Sequence, residues 1–263
     1  MLDLKPISVD EVTESGCIKL EPGKSVLCQI ALDDEKNDNS CIHAYYQLEG
    51  LLGNKDEHLK RSLTHDVVAQ WLDQPFFDDL RTAQQLGYVV YCRARECRDC
   101  LGFVFLVQSN VKSAEYCVQA MNKHLLQKRE AIKKISDEDF KQAVSAVNTI
   151  ISEKPMNLGQ DNDKMMSEIS THHYIFDRQD KSIEMLKTIT KEEFLAHFEE
   201  LFFSSKTARF DFELTSEQHK DQQKEYQELN ANDEVYKHLE RVKYEGTLED
   251  LHQSSKYYAD SYT

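Results

Sequence analysis

The segment DDLRTAQQLGYVVYCRARECRDC, Asp78 to Cys100, gathers three kinds of reactive group: an arginine at 81, a tyrosine at 88 and thiols at 92, 97 and 100. Cys92, Cys97 and Cys100 follow a C-x4-C-x2-C spacing of the kind that ligates iron–sulfur clusters, with Cys117 as a conceivable fourth ligand. A tetrahedral zinc site needs converging donors, and no second C-x2-C or H-x2-H partner follows. Cys117 falls on a helical stripe that should face a core. The spacing therefore reads as one strand cysteine and two hairpin cysteines. A Cys97–Cys100 redox pair is the alternative, without the strand-to-helix context in which such pairs are reactive.

The histidines divide in the same way. His172 and His173 are adjacent, so on a helix they point about 100° apart and cannot easily share one ion. Packing or surface roles are expected. The run HFEEL, His197 to Leu201, approaches the H-x-x-E-H signature of inverted zinc metallopeptidases, but Leu201 stands where the second histidine belongs. His197 and Glu200 are expected as a surface pair on an amphipathic helix. No HExxH, phosphate-cradling glycine loop or GxSxG occurs, and no catalytic residue is assigned.

Arg81 and Tyr88 remain. An arginine near a helix end and a tyrosine opening the next strand can offer a permanent cation and a phenolic O–H to one side, which suits a peptide carbonyl or a developing oxyanion. Taken alone, a surface arginine and a half-buried tyrosine explain the pair better.

The elements that must position these groups follow from periodicity. KSVLCQIALDD and CIHAYYQLEG read as neighbouring antiparallel strands. Leu59, Leu63, Val67, Val68, Trp71 and Leu72 mark a helix that Pro75 ends. PFFDDLRTAQQL restarts a helix with proline in its first turn, and Gly87 closes it in the position a helix C-terminus prefers. YVVYCRA and LGFVFLVQS form a second hairpin. Helical stripes follow, one through Ala114, Cys117, Val118, Met121, Leu125 and Ile132, another opened by Ser136 and stopped by Pro155. A further helix is expected from Asp161 to His173, and a capped one at Thr190 and Glu193. TARFDFEL closes the globular part as an alternating strand. The expected fold is α+β, an antiparallel sheet with helices on one face, a two-layer sandwich. Residues 1–215 form this domain. Residues 216–263, acidic and tyrosine-bearing, are expected as a linker and a helical or mobile tail.

Composition narrows the class of partner. The net charge is −15, from 32 basic and 47 acidic residues, which disfavours broad phosphate contact and hence nucleic acid. No run approaches a membrane span and no signal segment is visible, so a cytoplasmic protein without membrane contact is expected. The seven cysteines fit reduced thiols better than a disulfide scaffold.

PFFDDLRTAQQLGYVV closely resembles the FF..LRT..QLGY.V motif in the last, fourth domain of the insulysin (insulin-degrading enzyme) family, pitrilysin-like inverted zinc metallopeptidases. The resemblance continues through CIHAYYQLE, GFVFLVQS, HHYIFDR and LKTITKEEFLAHFEELF, in order, from about Ile18 to Leu214. It implies one of four related domains, paired into halves that close around a peptide. The zinc motif belongs to the first domain, so zinc is expected only in a partner catalytic half, with no cofactor in this chain. Arg81 and Tyr88 match the residues that reach the substrate backbone near the scissile bond, and Gly87 the glycine that lets helix turn to strand. The hairpin CRARECRDC departs from the family pattern, which often carries glycine there. It forms a basic knob that could be refitted to an acidic partner.

Two functions follow. In one, the chain is the noncatalytic C-terminal domain of a zinc metalloendopeptidase and lines its peptide-binding chamber with an N-terminal catalytic half. In the other, it is a catalytically inactive, protease-like scaffold for other protein subunits, a reading that the initial Met1, the missing zinc motif and the acidic tail favour.

Overall fold

The computed structural model describes residues 17–32, 34–49, 54–97, 100–171, 173–222, 226, 233–246 and 250. The strands are β1 (Lys24–Ala31), β2 (Ser40–Leu48), β3 (Val89–Cys97), β4 (Cys100–Ser109), β5 (Thr207–Thr215) and β6 (Glu240–Tyr244). The helices are α1 (Lys55–Phe77), α2 (Ala114–Ile132), α3 (Asp137–Ser152), α4 (Leu158–Ser170), α5 (Arg178–Leu186) and α6 (Lys191–Phe203). The six strands form one sheet in the order β3-β4-β2-β5-β1-β6. The α+β class holds, with a mixed sheet: β2, β3, β4 and β5 pair antiparallel, whereas β1 runs parallel to both β5 and β6. β1 and β2 are therefore not the expected neighbours. β5 lies between them, because the chain returns through five helices before filling that slot.

Local signals account for most boundaries. The Ser136 and Thr190 side chains accept from Asp139 N and Glu193 N, and Glu193 answers with a bond from Thr190 N, a complete capping box. α1 does not break at Pro75. It carries the proline inside its last turn and continues into a π-helical turn, Asp78–Ala83. Widening the turn absorbs a residue that has no N–H to donate. α4 starts three residues before the expected point and stops at Ser170, so His173 lies beyond the helix and Tyr174 takes a left-handed φ of 55°.

The main core lies between the sheet and α1, α2 and α6. Ile42, Ala44, Tyr46 and Leu48 of β2 and Leu101, Phe103, Phe105 and Val107 of β4 face it, as alternation requires. Phe202 of α6 meets Tyr46 and Phe103 edge to face, each with centroids 5.1 Å apart. α3 and α5 pack on α1.

β5 reverses the expected pattern. Its apolar Phe210, Phe212 and Leu214 face the open side of the sheet and are only partly buried, while Arg209, Asp211 and Glu213 are buried under the helices. Arg209 donates from Nε to Asp211 at 2.7 Å and from one amino group to the Tyr46 hydroxyl at 2.7 Å and Asn122 Oδ1 at 3.0 Å. Tyr236 donates to the other Asp211 oxygen at 2.7 Å, and Asn122 donates to Asp233 at 3.1 Å. Burial opposes the Arg209 charge, but Asp211 more than offsets it and the guanidinium stays protonated.

This network corrects the expected domain boundary. The segment after residue 216 adds β6 to the sheet and inserts the buried Val235 and Tyr236. Its last part, SSKYYADSYT, lies outside the described residues.

Tyr236→Phe should lower the unfolding free energy by about 1–3 kcal/mol, because Asp211 loses a buried donor. Arg209→Ala should cost about 3–5 kcal/mol by stranding Asp211. Urea denaturation followed by circular dichroism measures both.

Candidate functional site

The π-helical turn exists to carry Arg81 and is held by buried contacts on both sides. Leu80 sits in the core, and Asp79 accepts from His124 Nδ1 at 2.6 Å and from Gln84 Nε2 at 2.9 Å. Partial burial raises the Asp79 carboxyl, but these two donors hold it below the usual carboxylate range. After the turn, Leu86 N donates to Leu80 O at 3.0 Å and Gln85 takes the left-handed conformation, φ 53°. Gln85, not Gly87, therefore makes the reversal. Gly87 serves a different need: a Cβ there would lie 1.8 Å from the Gln108 carbonyl oxygen, so only glycine lets the chain enter the sheet beside β4.

Tyr88 follows at the head of the edge strand β3, 82% exposed. The Arg81 guanidinium carbon lies 4.8 Å from the Tyr88 ring centroid and 5.1 Å from that of Phe77. The structure thus brings Arg81 and Tyr88 into contact, as their spacing suggested. Stacking fixes the arginine while leaving its N–H donors and the phenol facing outward. Tyr88 is far more exposed than a packing residue of its size, which argues against the half-buried alternative.

Cys92, Cys97, Cys100 and Cys117 do not converge. Cys92 pairs in register with Phe105 and joins the helix-side core with Cys117, whose thiol burial pushes up to about 12. Cys97 and Cys100 are register partners at the hairpin end, with residues 98 and 99 outside the described set. Cys100 lies on the open side, 3.8 Å from the Tyr45 hydroxyl, where the Tyr45 ring covers the space a Gly102 side chain would need. A hydrogen bond from Cys100 lowers the Cys17 thiol to about 6 against its own burial, with help from Cys97 and Arg95. Arg93 and Arg95 are exposed on this face, Arg93 over the Tyr91 ring at 5.0 Å.

His197 is not the expected surface partner of Glu200. It is buried, with Nε2 2.9 Å from His65 Nδ1, and His65 Nε2 is 2.8 Å from the Gly102 carbonyl. The carbonyl fixes the tautomers: His65 donates from Nε2, and its Nδ1 accepts from His197. Glu200 instead pairs with Arg61 at 2.9 Å and Lys206 at 3.0 Å. Burial lowers His65 to about 4 and holds His197 well below its usual value.

Among the described residues, one group of three side chains could hold a metal ion: His58, Glu96 and His173. Sequence reasoning missed it, since α1, β3 and the α4–α5 connection supply one residue each. Within this group only His173 drew notice, and it was assigned to packing or surface. His172 lies outside the described residues.

Residues 67–166 match the model of a family described as PQQ synthase PqqF-like, C-terminal lobe domain 4. Human insulin-degrading enzyme is 28% identical over 168 residues, which span 64% of this chain and 16% of that protein. Nardilysin of Homo sapiens is 27% identical over 199 residues, 75% of this chain and 17% of that protein. The putative zinc protease mug138 of Schizosaccharomyces pombe is 28% identical over 198 residues, 75% and 20% of the two. The chain thus spans a fifth or less of these relatives' length. The pitrilysin crystal structure superposes with a TM-score of 0.71 at 19% identity, covering 93% of this chain and 24% of that one, and so shares the fold. The M16 peptidase inactive domain of Pseudomonas fluorescens gives a TM-score of 0.52 at 13% identity, covering 75% and 46%. The chain is homologous to insulin-degrading enzyme and nardilysin over 64% and 75% of its length, and its residues 67–166 match the PqqF-like C-terminal lobe domain.

Gly87→Ala should destabilise the chain by about 2–3 kcal/mol, since backbone rather than a flexible side chain must yield; urea denaturation tests this. The histidine pair should weaken the fold as pH falls from about 6.5 toward 4. In that window the unfolded chain takes up protons that the folded one refuses, up to about 1.4 kcal/mol per pH unit for each ring. Burial raises the Glu213 and Asp66 carboxyls, to about 8 and about 7, which acts in the opposite sense. The comparison is therefore with His197→Gln, whose stability should fall less steeply over that window.

Proposed function

We propose that this homologue of peptidase C-terminal lobes is a noncatalytic domain that lines a peptide-binding chamber together with a zinc-bearing catalytic half. The observation that carries the reading is the stack of a half-buried Arg81 on the exposed Tyr88. Among the described residues the pair makes ring contacts but no hydrogen bond, so its donors are directed to something outside the domain. A peptide carbonyl, or the oxyanion that develops when it is attacked, suits one cation beside one phenol. Such a pair binds and polarises; it supplies no nucleophile and no general base.

The remaining surface supports use within a larger assembly. α4 exposes Met165, Met166 and Ile169, and Met156 and Leu158 before and at its start are exposed as well. An apolar strip of this kind marks a protein contact. No helix among the described residues is long and apolar enough to cross a membrane.

Mixing the chain with the H-x-x-E-H half of a homologue and following cleavage of a fluorogenic peptide tests the proposal. Tyr88→Phe and Arg81→Ala should each lower kcat by about 100-fold. Both groups project outward, so the thermal midpoint should stay within about 1 °C. If the halves associate but neither substitution slows cleavage, the chamber role fails and a scaffold role takes its place. If no such half binds, both the chamber and this partner are wrong.

A further inference from the structure

We infer that His58, Glu96 and His173 form a binding site for one divalent transition-metal cation, with zinc the best fit to the donor set. The site is separate from the Arg81–Tyr88 edge and requires nothing of the proposed chamber.

The geometry comes first. His58 Nε2 is 2.9 Å and His173 Nε2 is 3.6 Å from the same Glu96 oxygen, and one donor atom from each residue falls within 4.8 Å of the others. Tetrahedral zinc with bonds of about 2.0–2.1 Å holds its ligands about 3.3 Å apart, midway between those two distances. Two imidazoles and a carboxylate select zinc and its neighbours over magnesium or calcium, which prefer all-oxygen sites. Both rings are buried, while the Glu96 side chain is 27% exposed, which leaves a path for the ion and a place for water as fourth ligand.

Two of the three ligands are held from behind. Ser62, one turn after His58 on α1, donates to the second Glu96 oxygen at 2.6 Å. Thr171 Oγ1 is 3.2 Å from His173 Nδ1. Supporting bonds of this kind orient metal ligands.

Two contacts must change. His58 Nε2 donates to Glu96 in the metal-free state, so coordination there moves its proton to Nδ1, which is buried without a hydrogen-bond partner among the described residues. An Arg178 amino group lies 2.7 Å from His173 Nδ1, so the metal-free ring carries its proton on Nε2, facing Glu96. Coordination at Nε2 moves that proton to Nδ1, where Thr171 can accept it. Arg178 remains paired with Glu168. The cation would pin the α4–α5 connection to the start of α1 and the end of β3, three segments far apart in sequence.

The test uses the full chain, purified with chelator and reduced thiols, at pH 7.5. Zinc titrated by calorimetry should bind with a one-to-one stoichiometry and micromolar or tighter affinity. A hundredfold excess over Kd should raise the thermal midpoint by roughly 5–10 °C. Cobalt should give tetrahedral d–d bands without the charge-transfer band of thiolate ligands. Glu96→Gln and His58→Gln, checked for native circular dichroism, should each weaken binding at least about 10-fold. The inference is overturned by no saturable binding below about 100 µM, by a thiolate band, or by affinity that survives Glu96→Gln and falls with Cys97→Ser. The cobalt spectrum of the unaltered chain decides the matter even if a ligand variant fails to fold.

Discussion

The buried Arg209–Asp211 pair is the constraint on which this domain depends. A guanidinium without solvent is tolerable only when acceptors meet its charge: two strands and a helix supply them to its Nε and one amino group, and the C-terminal segment places Tyr236 on Asp211, while the second amino group has no hydrogen-bond partner among the described residues. Tyr46 reaches it from β2, Asn122 from α2 and Tyr236 from the turn before β6. The charge thereby sets the side on which β5 presents its residues, and with it the register against β1 and β2. A slip of one residue would place Phe210 under the helices and the ion pair on the open face.

The same logic of satisfied polar groups governs the candidate site. Asp79, His124 and Gln84 close the π-helical turn, Leu80 anchors it and Gly87 removes the side chain that would keep β3 from β4. In the proposed chamber Arg81 and Tyr88 are the groups this arrangement leaves for another molecule, and their stacking restricts the arginine without consuming its donors. The buried His65–His197 pair is a polar element of the core, where neutral rings exchange one hydrogen bond and anchor α6 to α1.

Helix existence was legible in the sequence for every helix but α5, and capping and the buried stripe for α2, α3 and α6, because these depend on residues within a turn or two of one another. Ser136, Thr190 and the stripe from Ala114 to Ile132 are cases where local spacing sufficed. The proximity of Arg81 and Tyr88 belongs to the same class, since one turn and four connecting residues join them. Pro75 misled the boundary because its cost depends on whether the following turn can widen, which proline alone does not reveal. Alternation in TARFDFEL located a strand but implied the wrong buried face, because hydrophobicity outranks charge only when the charge has no partner.

By itself, then, the sequence determined the elements other than α5 and β6, the α+β class and the pairing of a cation with a phenol at a helix-to-strand junction. Tertiary structure alone decided that β5 enters between β1 and β2, that Tyr236 and β6 belong to the domain, and that His58, Glu96 and His173 meet. Those outcomes rest on contacts between residues tens to hundreds of positions apart. Each is chosen by where a buried charge or ring can find its complement, a property of the assembled fold and of no single segment.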